Sequence, residues 1–155
     1  MTVTIRFASI DDAAAVRETA LAAFNEYRGV IDPPPGILFE SEEDVRHALA
    51  ETGGVVALEE GKIVGSARFE ERPGFLYIGR LAVPPEFRGK GIGRLLMEAM
   101  EQHAIVLGLS EAHVSVREAL PGNIAMFEHW GYQQVSRDPH PRVPSAFSIG
   151  MVKQI

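Results

Sequence analysis

The stretch Leu81-Ala82-Val83-Pro84-Pro85-Glu86-Phe87-Arg88-Gly89-Lys90-Gly91-Ile92-Gly93-Arg94-Leu95-Leu96 decides the reading of this chain. An apolar segment stops at two prolines, neither of which can donate to a central ladder. A glycine-rich, basic run then opens an apolar-periodic segment. The first N–H groups of a helix have no partner within it, and the helix dipole adds partial positive charge there. An anion docked at that end satisfies both, and glycines let its oxygens come close to the backbone. Arg88, Lys90 and Arg94 supply positive charge around the loop. A flexible glycine-rich connection with a solvated basic rim would look the same in isolation.

The spacing narrows the ligand. A nucleotide P-loop ends in Gly-Lys-Ser/Thr, which is absent here, and the dinucleotide fingerprint Gly-x-Gly-x-x-Gly opens a βαβ unit. The spacing here is Gly89-x-Gly91-x-Gly93, in mid-chain and after a hairpin pattern. Neither nucleotide motif fits.

Outward from the loop, period-2 alternation predicts a first strand at Val3, Ile5 and Phe7. Ser9 with Asp12 and Ser41 with Asp44 read as helix starts, the second helix running to about Glu51. Asp32-Pro33-Pro34-Pro35-Gly36 breaks the chain between them. Val55–Leu58 and Ile63–Phe69 read as a hairpin, and Phe75–Val83 as the strand before the loop. A helix follows from Gly91 to about Gly108, then a strand at Ala112–Val116 and a short helix at Pro121–Trp130. Strands at Tyr132–Val135 and Ala146–Val152 close the chain. The expected order is β-α-α-β-β-β-α-β-α-β-β, an α/β (α+β) domain with a mixed, mostly antiparallel sheet.

The 155 residues suit one domain, 1–155, with a sizeable core. No apolar run reaches the roughly 20 residues of a membrane span, and Met1–Phe7 lacks the pattern of a signal peptide. A cytoplasmic address and no membrane partner are therefore expected. The chain has no cysteine, which excludes disulfides and thiol catalysis, and its net charge of −6 argues against nucleic acid. His129 and His140 have no spacing that suggests a metal, and none is expected.

With its surroundings the loop resembles the central motif of the GCN5-related N-acetyltransferases, a strand followed by Arg/Gln-x-x-Gly-x-Gly/Ala and a helix. Residues 88, 91 and 93 match its required positions, and Asn123 through Tyr132 resembles the family's later Asn…Tyr/Phe-Glu-x-x-Gly-Phe/Tyr segment. The resemblance implies that acetyl-CoA is the co-substrate, with its pyrophosphate on the amides of Arg88, Gly89, Lys90, Gly91, Ile92, Gly93 and Arg94. It implies that the pantetheine arm pairs along Leu81, Ala82 and Val83, where a bulge splays the central strand pair. A backbone N–H near Leu81 or Ala82 would then serve the thioester carbonyl as an oxyanion donor. Asn123 is implied as a contact to the cofactor arm, a helix N-cap being the alternative.

The chemistry implied is direct attack of a neutral primary amine, of a small molecule, on the thioester in a ternary complex. Relatives often protonate the departing thiolate with a tyrosine four residues before the Gly-aromatic pair. That position here is Phe127, carried over as a cofactor contact because it has no proton to give. The usual places for a base are Tyr77 and Gly79, which share one face. Tyr77 would position the acceptor, act as an acid, or simply pack on its strand. Glu40, Glu42, Glu43 and Asp44 are either favourable charge at a helix start or a negative mouth for a cationic amine, and Glu70 and Glu71 are further acidic candidates. His113 is a proton relay or a structural histidine. Acceptor choice is expected in residues 27–40 and 136–145. The closing segment is similar to small-molecule acetyltransferases of bacteria. A non-catalytic acyl-CoA-binding or sensing domain, or a transferase for another acyl-CoA, is the alternative, and a homodimer through the last strand pair stays open.

Overall fold

A computed structural model describes residues 2–155. The chain runs β1 (Val3–Phe7), α1 (Ala13–Phe24), α2 (Glu42–Glu51), β2 (Gly54–Glu59), β3 (Lys62–Arg72) and β4 (Phe75–Ala82). It continues through α3 (Ile92–Val106), β5 (Glu111–Arg117), α4 (Pro121–His129), β6 (Gln133–Pro139) and β7 (Phe147–Gln154). Short 3-10 turns at Ile10–Asp12, Asn25–Tyr27, Gly36–Phe39 and Pro85–Phe87 punctuate this order. The seven strands form one sheet in the order β1-β2-β3-β4-β5-β7-β6, antiparallel except for the β4–β5 pair.

Both faces of the sheet are covered, so its central strands bury consecutive side chains rather than alternate ones. Val55 and Ala57 of β2 join the core under α3, while Val56 between them joins the core under α1 and α2. Ile92, Leu96, Met97, Met100 and Ala104 of α3 lie on the first face, at helical spacing. Each such fully buried side chain is worth about 1.5–3 kcal/mol. Gly65 on β3 is what lets the start of α3 sit down on the sheet, since a Cβ there would come within 2.9 Å of Ile92 Cγ2 and 3.1 Å of Leu96 Cδ1. On the other face, Ala13, Val16, Ala20 and Ala23 let α1 lie close over Val45, Leu49 and Ala82. Ser41 caps α2 with the reciprocal pairing expected, Asp44 N–H donating to Ser41 Oγ at 3.0 Å and Ser41 N–H to Asp44 Oδ2 at 2.8 Å.

One departure from the sequence reading matters. β6 continues through Pro139, pairing Ser136 with Gly150, Arg137 with Ile149 and Asp138 with Ser148. The first four residues of the loop expected at 136–145 are therefore edge strand. Every residue of β6 is exposed, so the segment carries no apolar alternation to betray it, and Pro139 is tolerated at the end of an edge. At the centre the sheet parts as the resemblance implied. β4 and β5 pair only at Phe75–Glu111, Leu76–Ala112 and Tyr77–His113. Beyond Tyr77, β4 bends through a bulge opposite Ser66–Arg68, with Arg80 at φ 53°, and the two strands part.

Candidate active site

The parting of β4 from β5 opens a cleft of about 580 Å³ that runs from the loop after β4, past α4, to the segment joining α1 and α2. At one end the chain turns at Pro85–Phe87, and Arg88 is extended before Gly89 and Gly91 adopt φ 81° and 76°. Gly91 is the N-cap of α3 in the left-handed conformation, and its carbonyl accepts from the Leu95 N–H at 3.1 Å. A Cβ on Gly89 or Gly91 would meet no atom within 4 Å, so the space above this backbone is open. Gly93 serves packing instead: a Cβ there would stand 3.3 Å from Trp130 Cη2. Unpaired N–H groups, open space and the end of a 15-residue helix with no acidic residue in its first turn make a seat for an anion. The residues present fit a pyrophosphate.

The basic side chains of the loop do not form the free rim expected from sequence. Arg88 is an internal clamp: Nε donates to the Val83 carbonyl at 2.8 Å, Nη1 to Glu26 at 3.0 Å and Nη2 to the Ala23 carbonyl at 3.3 Å. It ties the loop to the end of α1, and its guanidinium holds the Glu26 carboxyl below the usual carboxylate range. Lys90 lies outside the cleft lining, 3.7 Å from Glu59, and Arg94 reaches Glu98 at 3.0 Å. Positive potential at this end therefore comes first from the backbone.

The other expected site residues fall as follows. Tyr77, Leu81, Val83, Arg88, Gly89, Gly91, Ile92, Gly93, Arg94, Asn123 and Phe127 line the cleft. Ala82 turns its side chain the other way, into the core under α1. Asn123 is not the N-cap of α4; that position is Leu120. Asn123 instead reaches across the cleft, its Nδ2 donating to the Tyr27 hydroxyl at 3.3 Å. Phe127 is buried with its ring edge-on to Trp130 and Tyr132. The Tyr77 ring lies under the Arg72 guanidinium, 4.5 Å from its centre.

No Asp, Glu or His lines the cleft among the described residues, which removes the negative mouth. Glu40 is drawn behind the wall, where it accepts from Arg68 Nη2 at 3.0 and 3.1 Å and from Arg80 Nε at 3.3 Å. Glu42 and Glu43 pair with Arg46, and Asp44 is the capping residue. Glu70 pairs with Arg72 at the far end of β3. His113 meets Glu111 at 2.9 Å and stacks on Phe75, where β4 and β5 are still joined. Tyr27, the first residue of the segment expected to choose the acceptor, lines the cleft, and so do two polar residues that sequence reasoning passed over, Arg80 and Arg117. The two arginines carried no local signal.

Comparison with known proteins was made on this geometry. A family model described as Acetyltransferase (GNAT) family matches residues 15–132. A mycothiol acetyltransferase of Propionibacterium freudenreichii is 34% identical over 130 residues, covering 76% of this chain and 40% of that protein. The chain spans about half the length of the curated relatives it matches. The PaiA N-acetyltransferase of Thermoplasma acidophilum, solved in complex with coenzyme A, superposes with a TM-score of 0.83 at 20% identity, with 100% of each chain covered. YncA of Salmonella typhimurium, solved with acetyl-CoA, gives 0.77 at 19% identity, with 99% of this chain and 94% of that chain covered.

Proposed function

This chain belongs to the GNAT family of acetyltransferases, and from that membership we propose that it transfers the acetyl group of acetyl-CoA to a primary amine of a small molecule, by direct attack in a ternary complex. One observation carries the reading. A single cleft has an anion seat of backbone N–H groups at one end, parted strand edges in the middle and polar side chains at the other.

Acetyl-CoA supplies, when bound, an acyl carbon already activated as a thioester. The amides from Arg88 to Arg94 hold its pyrophosphate, and Leu81 and Val83 lend the edge of β4 to its amide-bearing arm. A backbone N–H of Leu81 or Ala82 stabilises charge building on the carbonyl oxygen, a role worth a few kcal/mol. Proton handling is left to few groups. With no carboxylate or imidazole in the lining, the amine gives up its proton to water before or as it attacks. The N–C bond forms, the C–S bond breaks, and the Tyr27 hydroxyl, held by Asn123, gives its proton to the departing sulfur and is reprotonated from solvent. Tyr77 positions the acceptor.

Thiol release from acetyl-CoA over a panel of amines, amino acids and peptides tests this, and a chain without cysteine gives no background to a thiol reagent. Turnover with a small amine is expected. Tight CoA binding without turnover over the whole panel would replace the enzyme reading by that of a binding or sensing domain. Faster release from a longer acyl-CoA would change the donor.

A further inference from the structure

The acceptor end of the cleft is cationic, in a chain whose net charge is −6. Arg80 from β4 and Arg117 from β5 face the cleft from the two strands that part, and no acidic side chain lines it among the described residues. The two guanidiniums are incompletely neutralised: Arg80 shares the single carboxylate of Glu40 with Arg68. Arg117 has no carboxylate within 4.0 Å; its Nη2 donates to the Pro33 carbonyl, and the one carboxylate acting on it is that of the exposed Asp32. Burial pushes the Arg117 pKa down, the mark of a charge stripped of water and short of a counter-ion. Arg80 engages Glu40 through Nε alone, and Glu40 already accepts two bonds from Arg68.

The backbone is shaped to present Arg80. It stands at φ 53°, a conformation that side-chain-bearing residues rarely adopt and that persists where surrounding structure holds it. Gly36 makes room for it, since a Cβ there would fall 2.7 Å from Arg80 Nη2. Two forked, always-charged donors converging on one space suit the planar oxygens of a carboxylate or the oxygens of a phosphate.

We propose that the acceptor is an anionic amine, bearing a carboxylate or phosphate near its amino group, and that Arg117 with Arg80 binds that anion. The inference rests on the transferase reading above and names its substrate class. The anion leaves the amine as the free end, facing the middle of the cleft, and a polycationic amine meets two guanidiniums in a lining that holds no carboxylate.

The test uses the full chain, acetyl-CoA and matched pairs of acceptors: leucine against 3-methylbutylamine, phosphoethanolamine against ethanolamine, with 1,4-diaminobutane as the dication. The anionic member of at least one pair is expected to exceed its neutral partner in kcat/KM by on the order of 100-fold; which pair shows it identifies the anion. In Arg117→Gln that ratio should collapse to under about tenfold through the KM of the acceptor, with the KM for acetyl-CoA unchanged, and Arg117→Lys should restore part of it. Should Arg117→Gln unfold because its bond to Pro33 is lost, Arg80→Gln carries the same expectation. Preference for the diamine or the neutral amines, or a ratio unmoved in both variants, overturns the inference while leaving the enzyme reading intact. Absence of thiol release with every acceptor, CoA still bound, overturns the enzyme reading and this inference with it.

Discussion

The two ends of the cleft are built from different material. The donor end is backbone: consecutive amides from Arg88 to Arg94, two glycines at positive φ, and the start of α3. The acceptor end is side chain: Tyr27 from the end of α1, Arg80 from the bulge of β4, Arg117 from the tip of β5 and Asn123 from α4. A surface of main-chain donors tolerates change in the side chains around it. A surface of converging side chains is re-aimed by one substitution. The first kind of wall suits a ligand common to a family, and the second suits the ligand in which its members differ.

The largest effect that separates the two ends is expected at Gly91. Gly91→Glu sets a carboxylate over the anion seat and should weaken CoA binding by more than about 100-fold, read by titration calorimetry. Gly91→Ala shares the positive φ and costs about 1 kcal/mol of strain without the charge, so it should retain most affinity. Equal affinity in the Glu variant and the native chain would mean that this loop is not the phosphate seat. Next is Tyr27→Phe, expected to lower kcat about 10- to 100-fold with the KM for acetyl-CoA within a factor of two. Asn123→Ala should reproduce part of that loss, and full activity in both would remove the proposed acid.

Arg88 joins the ends, because its clamp fastens the donor loop to the helix that delivers Tyr27. Arg88→Ala should therefore raise the KM for acetyl-CoA and lower kcat together, each by about tenfold, the loss of a few hydrogen bonds to a charged group. A change confined to KM would show the ends to be independent. Tyr132→Phe lies outside both. Its buried hydroxyl donates to Glu101 at 2.6 Å, beside Lys153, so a melting temperature lower by a few degrees with unchanged kcat/KM is expected. The smallest effect is the acid side of the clamp. The Glu26 pKa is depressed in the folded state, so its pairing with Arg88 is intact above the ordinary carboxylate value of about 4.3 and fails as pH falls through the lower folded value. Glu26→Gln should flatten the fall in CoA affinity below that pH and change it only a few-fold at neutrality.

The same contrast explains what could be read in the sequence. The proposed donor end is one run of residues, so a motif within a single stretch of sequence could point to it, as local patterns pointed to the hairpin, α2 with its capping box, and the strand-loop-helix placement. The acceptor end is assembled across distance: Asn123 and Tyr27 are 96 residues apart, Arg117 and Pro33 are 84 apart. No window of sequence contains such a pair. The loop's arginine and lysine were visible, but their partners Glu26 and Glu59 were not, so their charge looked free when it was not. The bulge itself was implied by the resemblance, but not that Arg80 carries its positive φ, because the usual sign, a glycine, stands one residue earlier at Gly79. The continuation of β6 past Val135 escaped because a strand exposed on both faces has no alternation.

The three-residue contact between β4 and β5 has a consequence for the folded state itself. Past Tyr77 and His113 the sheet carries two interior edges, whose N–H and C=O groups face the cleft rather than a neighbouring strand. A ligand that bonds to those edges binds the folded chain and not the unfolded one, so the stability of the protein rises with the concentration of that ligand, by about 2.7 kcal/mol at a hundredfold excess over Kd. With CoA as that ligand, the melting temperature of this chain should rise with the CoA concentration around it.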